Sequence, residues 1–135
     1  MQVFISYACE DSELARKLSQ WLQDAGFDVW LDENNVLPGD NWAEKVSQAL
    51  KKSQAMVVLV SPAAMNSRSV RHEIEFALGA KEYSGRLVPV FIGPRDRIPK
   101  DKLPWILRRL KGIDLTDQAQ EESLREIAEV LSASN

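Results

Sequence analysis

Between residues 67 and 76 the chain reads SRSVRHEIEF, and two carboxylates, Glu73 and Glu75, stand there with only Ile74 between them. A carboxylate in such a place could stabilise a developing positive charge, bind hydroxyls or move a proton. It could also do no more than favour a helix start. Helical spacing separates the two. Val70, Ile74, Ala77, Leu78 and Lys81 form one stripe, the expected core face, while Ser69, Glu73 and Phe76 share the neighbouring face. Glu75 then points roughly opposite Glu73, toward solvent. His72, the single histidine, is one residue out of phase and reads as a surface group, so a serine–histidine–aspartate triad has little support. No Gly-x-Gly-x-x-Gly, no Walker motif and no metal-ligand spacing occurs. Neither a Rossmann dehydrogenase nor a P-loop NTPase is expected, and no metal.

The elements that must position Glu73 follow from punctuation and periodicity. QVFIS (2–6) reads as a buried strand, after which Asp11 or Ser12 can cap a helix with the stripe Leu14, Leu18, Trp21, Leu22 and Ala25. Gly26 ends that helix. FDVWL (27–31) is a second strand, and DENNVLPGD (32–40) is turn chemistry throughout. Asp40 or Asn41 caps the next helix, striped by Trp42, Val46, Ala49 and Leu50. AMVVLV (55–60) is apolar without alternation, the mark of a strand covered on both faces. A third helix starts near Asn66 or Ser67. RLVPVFI (86–92) is a fourth strand whose Pro89 argues for a bulge or an edge-like position. The polar loop 93–104 leads to a short fifth strand, GIDL (112–115), and a last helix shows Leu124, Ile127, Ala128 and Leu131.

Strand–helix alternation over the whole chain specifies an α/β fold, a doubly wound parallel sheet with helices on both faces. Five strands suggest the flavodoxin-like order 2-1-3-4-5. Ligands bind such sheets beyond the carboxyl ends of strands one and three, where the winding reverses. Two loops line that crevice, SYACED (6–11) and SPAAMNSRS (61–69), and Glu73 lies within about one turn of it. A response-regulator receiver shares the order but needs an acid after strand three, where VLVSP offers none.

The 135 residues fit a single domain, 1–135. A net charge of −3 argues against nucleic acid as a partner. The late cluster of Arg95, Arg97, Lys100, Lys102, Arg108, Arg109 and Lys111 reads as a solvated loop and helix. Cys9 is the only cysteine, so no internal disulfide can form, which suits a reducing cytoplasm. No apolar run approaches the ~20 residues of a membrane span, and the start, MQVFISYACED, meets acid too early for a signal peptide.

Three segments together resemble the TIR domain, in its bacterial rather than animal-receptor form. FISYACED (Phe4–Asp11) is similar to the first box of that family, LDENNVLPGD (Leu31–Asp40) to its long loop after strand two, and SRSVRHEIEFAL (Ser67–Leu78) to its Ser-x-x-Cys-x-x-Glu stretch. The resemblance runs over nearly the whole chain and implies the flavodoxin-like fold. Members of the family assemble as signalling scaffolds or cleave NAD+ between nicotinamide and ribose, giving ADP-ribose or a cyclised variant. The catalytic glutamate of the second group aligns with Glu73 and the motif serine with Ser67. Ser69 stands where the family carries a Trp, and Val70 where it carries the Cys. The lost ring bears on rate and ligand packing more than on fold.

One carboxylate suffices for that reaction in principle. O-glycosidases need two, because the leaving oxygen must be protonated. The nicotinamide of NAD+ leaves as a neutral base, so what remains is to stabilise an oxocarbenium-like ribose. By this resemblance Glu73 is the catalytic residue, and Ser6, Tyr7, Ala8, Asp32, Trp42, Ser67 and Ser69 form the substrate-binding set. Tyr7 reads equally as a ring for stacking or a structural ring, and Trp42 as a core residue or an edge of the site. NAD+ is expected as substrate, with no bound cofactor. The other expected partners are TIR domains, reached through the 32–40 loop with Val36, Leu37 and Pro38 near its tip. No nucleic acid and no membrane are expected. The chain then reads as a cytoplasmic NAD+ glycohydrolase or cyclase, the effector of a bacterial defence or stress response activated by self-assembly. The ending, SASN, reads as a cut before a further domain. The alternative is a non-catalytic interaction module.

Overall fold

A computed structural model describes residues 1–83, 86–98, 101–103, 105–110, 112–115 and 120–133. Five parallel strands form one sheet: β1 (Gln2–Ser6), β2 (Asp28–Trp30), β3 (Ala55–Val60), β4 (Leu87–Ile92) and β5 (Ile113–Leu115). Their order is β2-β1-β3-β4-β5, the flavodoxin-like order expected from the alternation of elements. The helices are α1 (Ser12–Asp24), α2 (Asp32–Asn35), α3 (Trp42–Lys52), α4 (Pro62–Met65), α5 (Arg68–Gly79), α6 (Trp105–Arg109) and α7 (Gln120–Ala133). None of them, among the described residues, is long and apolar enough to cross a membrane.

Alternate strand residues feed two cores. Phe4, Met56, Val58, Val60 and Phe91 face α3 and α5, where Leu50, Val70 and Ile74 meet them. Val3, Ile5, Val57, Leu59 and Val90 face α1 and α7, where Leu22, Ile127 and Leu131 meet them. All six residues of β3 are buried, so both of its faces are dry, as its unbroken apolarity requires. Each large aliphatic side chain buried there stabilises the fold by about 1.5–3 kcal/mol.

Local chemistry sets the boundaries. Asn41, not Asp40, caps α3, its Oδ1 accepting from the Glu44 amide at 3.1 Å. Ser67 caps α5 by accepting from the Val70 amide at 3.3 Å. Gly26 takes φ 98° just past α1, a conformation that costs other residues about 1 kcal/mol or more. Asp11 holds the N-cap position of α1 without capping it. Its carboxylate accepts instead from the Ser61 hydroxyl at 2.5 Å.

Several expectations are corrected. Segment 32–40 is not all turn, because Asp32–Asn35 close one helical turn. A short helix, α4, precedes the third helix, started by Pro62 at its first turn and the Ser61 cap. Leu78, assigned to the core stripe, is 46% exposed: α5 ends at Gly79, so its last turn runs past the sheet it covers. Lys81 lies beyond the helix altogether. Pro89 is not in a bulge. It sits in β4 between two strands, opposite Val58, yet the ladder to β5 begins only at Val90, so its position is edge-like on that one side, as expected. Lys100 and Lys111 of the basic cluster lie outside the described residues.

Candidate active site

The carboxyl ends of β1 and β3 open onto a crevice, and α5 brings Glu73 into it from its second turn. No acid occupies the first turn of α5, where the helix dipole would favour one. The Glu73 side chain is 6% exposed although it carries a carboxylate. Ser6, at the end of β1 and fully buried, donates its hydroxyl to Glu73 Oε1 at 2.7 Å. Burial above all, with a contribution from the charge of Asp32 and against the pull of the Ser6 hydrogen bond, pushes the Glu73 carboxyl up to about 7. No ion pair joins Glu73 to any described residue. This buried carboxylate is therefore answered by a hydroxyl and not by a cation.

A cavity of about 320 Å³ lies in front of it. Tyr7 and Ala8 border it from the loop after β1, Asp32 from the start of α2, and Trp42 from the start of α3. Ser67, Ser69 and Glu73 complete the wall from α5 and its cap. Ser6 is not among the residues that border this cavity; its hydroxyl is given to Glu73. The Tyr7 hydroxyl donates to Asp32 Oδ1. Burial, that hydrogen bond and the neighbouring carboxylates hold the phenol protonated well above its ordinary range. The Tyr7 ring is thus both a wall and a tether between the loops after β1 and β2.

Trp42 corrects one alternative. It is 44% exposed, so the buried stripe of α3 begins at Val46. The reason is topological: α3 follows the loop at the carboxyl end of β2, and its first turn stands at the crevice rim. A second cavity of about 300 Å³ opens between α3 and α5, walled by Val46, Leu50 and Phe76, and shares Trp42, Ser69 and Glu73 with the first. His72 is exposed at the border of that second cavity, as its phase implies.

Three features were not legible beforehand. The Phe4 and Trp30 rings stack with centroids 5.0 Å apart, and both border the first cavity. Asn66 also borders it, and its side-chain oxygen accepts from the Lys102 ammonium. Asp11 and Ser61, 50 positions apart, tie the two crevice loops together. Only Asn66 and Asp11 gave a local signal, each as a possible helix start. Among the described residues no group of three or more His, Cys, Asp or Glu is arranged to hold a metal ion.

Comparison with known proteins follows the same lines. The family model described as TIR domain matches residues 3–130. The chain is 29% identical over 103 residues to the 2' cyclic ADP-D-ribose synthase BtTIR of Bacteroides thetaiotaomicron, covering 74% of this chain and 34% of that protein. It is 28% identical over 104 residues to the NAD(+) hydrolase PdTIR of Paracoccus denitrificans (strain Pd 1222), covering 75% of this chain and 33% of that protein. The chain thus spans about a third of the length of these curated relatives. Among solved structures, the TIR domain of the Toll-related receptor TRR-2 from Hydra magnipapillata superposes with a TM-score of 0.77 at 21% identity, over 96% of this chain and 97% of that one. At that identity the likeness speaks for the fold.

Proposed function

The chain belongs to the TIR domain family, and from that premise we propose that it cleaves NAD+ at the bond between nicotinamide and ribose, with Glu73 stabilising the ribosyl cation. The observation that carries this reading is a buried carboxylate without a cationic partner at the wall of a cavity. Distant relatives named for NAD+ hydrolysis and cyclic ADP-ribose synthesis support it. The C–N bond breaks with its electron pair going to the pyridine nitrogen, so the leaving group departs neutral and needs no acid. Positive charge grows on the ribose instead, and an anion fixed nearby in a poorly solvated site lowers that barrier. Ser6 holds the carboxylate in one orientation and favours its charged form. Ser67, Ser69 and the Tyr7–Asp32 pair supply the polar wall for the ribose. We further assign the activity to the effector part of a longer bacterial defence or stress-response protein.

The test is nicotinamide release by the purified protein at high concentration. Glu73→Gln keeps the shape and the Ser6 hydrogen bond but removes the charge, and release should fall by ~100-fold or more. Equal release by the variant would overturn the assignment.

One observation favours a second reading, an interaction module. Leu37 is 63% exposed at the tip of the 32–40 loop, and the tip is a closed turn. The Leu37 amide donates to the Asp40 carboxylate at 2.9 Å, the Asp40 amide donates to the Leu37 carbonyl at 3.0 Å, and Gly39 adopts φ 91°. An apolar side chain on a fixed turn suits self-association, which can also switch on the first activity. Leu37→Asp should shift sedimentation toward the monomer. Unchanged assembly would remove this role.

A further inference from the structure

Three carboxylates border the cavity, Glu10, Asp32 and Glu73; Glu10 is exposed to solvent, and the chemistry above uses Glu73. Asp32 opens α2 at the carboxyl end of β2, 41 positions before Glu73 in the chain (73 − 32), and lines the same hollow. The Tyr7 hydroxyl pins its Oδ1. Arg16 pairs with the neighbouring Glu33 at 2.9 Å, and among the described residues no ion pair reaches Asp32. Asp32 is also close enough to Glu73 for its charge to oppose ionisation there. Where a site holds two carboxylates beside a glycosidic bond, they divide the labour between leaving group and incoming nucleophile. Nicotinamide needs no proton to leave, so the second carboxylate is free for the nucleophile.

We infer that Asp32, held by Tyr7, is the general base that takes the proton from the hydroxyl attacking the ribosyl carbon. This rests on the NAD+-cleaving reading. The balance is complete without another reactant. The C–N bond breaks toward nicotinamide, a C–O bond forms from a lone pair of water, and the water proton passes to the Asp32 carboxylate and on to solvent. The products are nicotinamide, ADP-ribose and a proton. When the attacking hydroxyl belongs to the substrate itself, the same transfer gives a cyclic product.

A nucleophile without a proton to lose separates this role from substrate binding. Labelled nicotinamide attacks the ribosyl cation through its ring nitrogen and returns NAD+, with no base required. Asp32→Asn should therefore lower NAD+ hydrolysis and cyclisation by ~10-fold or more relative to exchange of labelled nicotinamide into NAD+. Loss of hydrolysis and exchange in equal proportion, at an unchanged melting temperature, would make Asp32 a binding group only and overturn the inference. So would a variant as active as the parent in both. If Asp32→Asn melts early, Tyr7→Phe decides, since it keeps the carboxylate and removes only its donor. A fall in hydrolysis relative to exchange supports the base, and a parallel fall or no change overturns it. Failure of the underlying reading looks different, for then Glu73→Gln retains both reactions.

Discussion

The crevice and the β4–β5 edge treat carboxylates in opposite ways. At the edge, Asp114 receives the Arg95 guanidinium at 2.6 Å, and both side chains are about half exposed. In the crevice, Glu73 receives Ser6, Asp32 receives Tyr7, and Asp11 receives Ser61. A guanidinium cancels the charge it binds. A hydroxyl orients a carboxylate and stabilises it but leaves its charge in place. The edge is thus electrically closed, whereas the crevice keeps a negative field in a partly dry space, where a charge is felt more strongly than at the surface. That field suits a ligand whose reacting end is cationic or becomes so. The lesson is that the partner of an acid, more than the acid itself, separates a structural site from a reactive one.

The largest expected effect tests whether the crevice holds charge at the expense of stability. The Glu73 carboxyl stands near 7 in the folded chain against about 4.3 unfolded. Between those values the native state binds more protons than the unfolded state, so stability falls as pH rises through the interval and stays low above it. Below about pH 4 both states are protonated and the penalty is absent. Glu73→Gln removes it, and the variant should be more stable than the parent by roughly 3 kcal/mol at about pH 8. This corresponds to about 10 °C in melting temperature, and the gain should vanish by about pH 4. A variant that melts lower than the parent at about pH 8 would break the comparison, because Glu73 would then be contributing as a structural acid.

Ser6→Ala gives a smaller effect on the same group. Its hydroxyl is the one influence pulling the Glu73 carboxyl down. A hydrogen bond to a charged group contributes ~1.5–3 kcal/mol, so losing it should move the acid limb of the pH–rate profile up by about one unit. Turnover should fall about fivefold near pH 7 and recover near pH 9, where the carboxylate is ionised regardless. A loss that is the same at all pH values would mean that Ser6 serves only to fill the space behind Glu73.

The contrast between these regions was only half visible in the sequence. Periodicity placed the strands, the sheet order and Glu73 at the crevice, because each rests on patterns of a few residues. Ser6–Glu73 and Tyr7–Asp32 join positions far apart in the chain, and no local spacing encodes a hydroxyl meeting an acid across a sheet edge. Trp42 read equally as core, since a helical stripe does not say where the sheet beneath it ends, and Leu78 failed at the other end of its helix for the same reason. Pro89 gave the right signal, since one position left unpaired toward β5 accommodates its missing N–H inside an otherwise paired strand.

The smallest effect belongs to the edge. Asp114→Asn should destabilise the fold by less than about 1 kcal/mol, the usual worth of an exposed ion pair. That difference should disappear at about 1 M salt, where the screening length is ~3 Å. Arg95 has a second support that the substitution leaves intact, since its guanidinium lies 3.9 Å over the centroid of the buried Phe91 ring. Gly112 packs closely against the same ring, where a Cβ would come within 2.5 Å of it and 3.4 Å of the Arg95 guanidinium, so nothing larger fits without a shift. Arg95 therefore keeps its seat when Asp114 loses its charge, and the loss is confined to one screened Coulomb interaction. Urea titrations of parent and variant at about 0.05 M and about 1 M salt measure this directly. A salt-independent loss above about 2 kcal/mol would show that Asp114 holds the edge by packing, and the division between a cancelled carboxylate and an uncancelled one would need another physical basis.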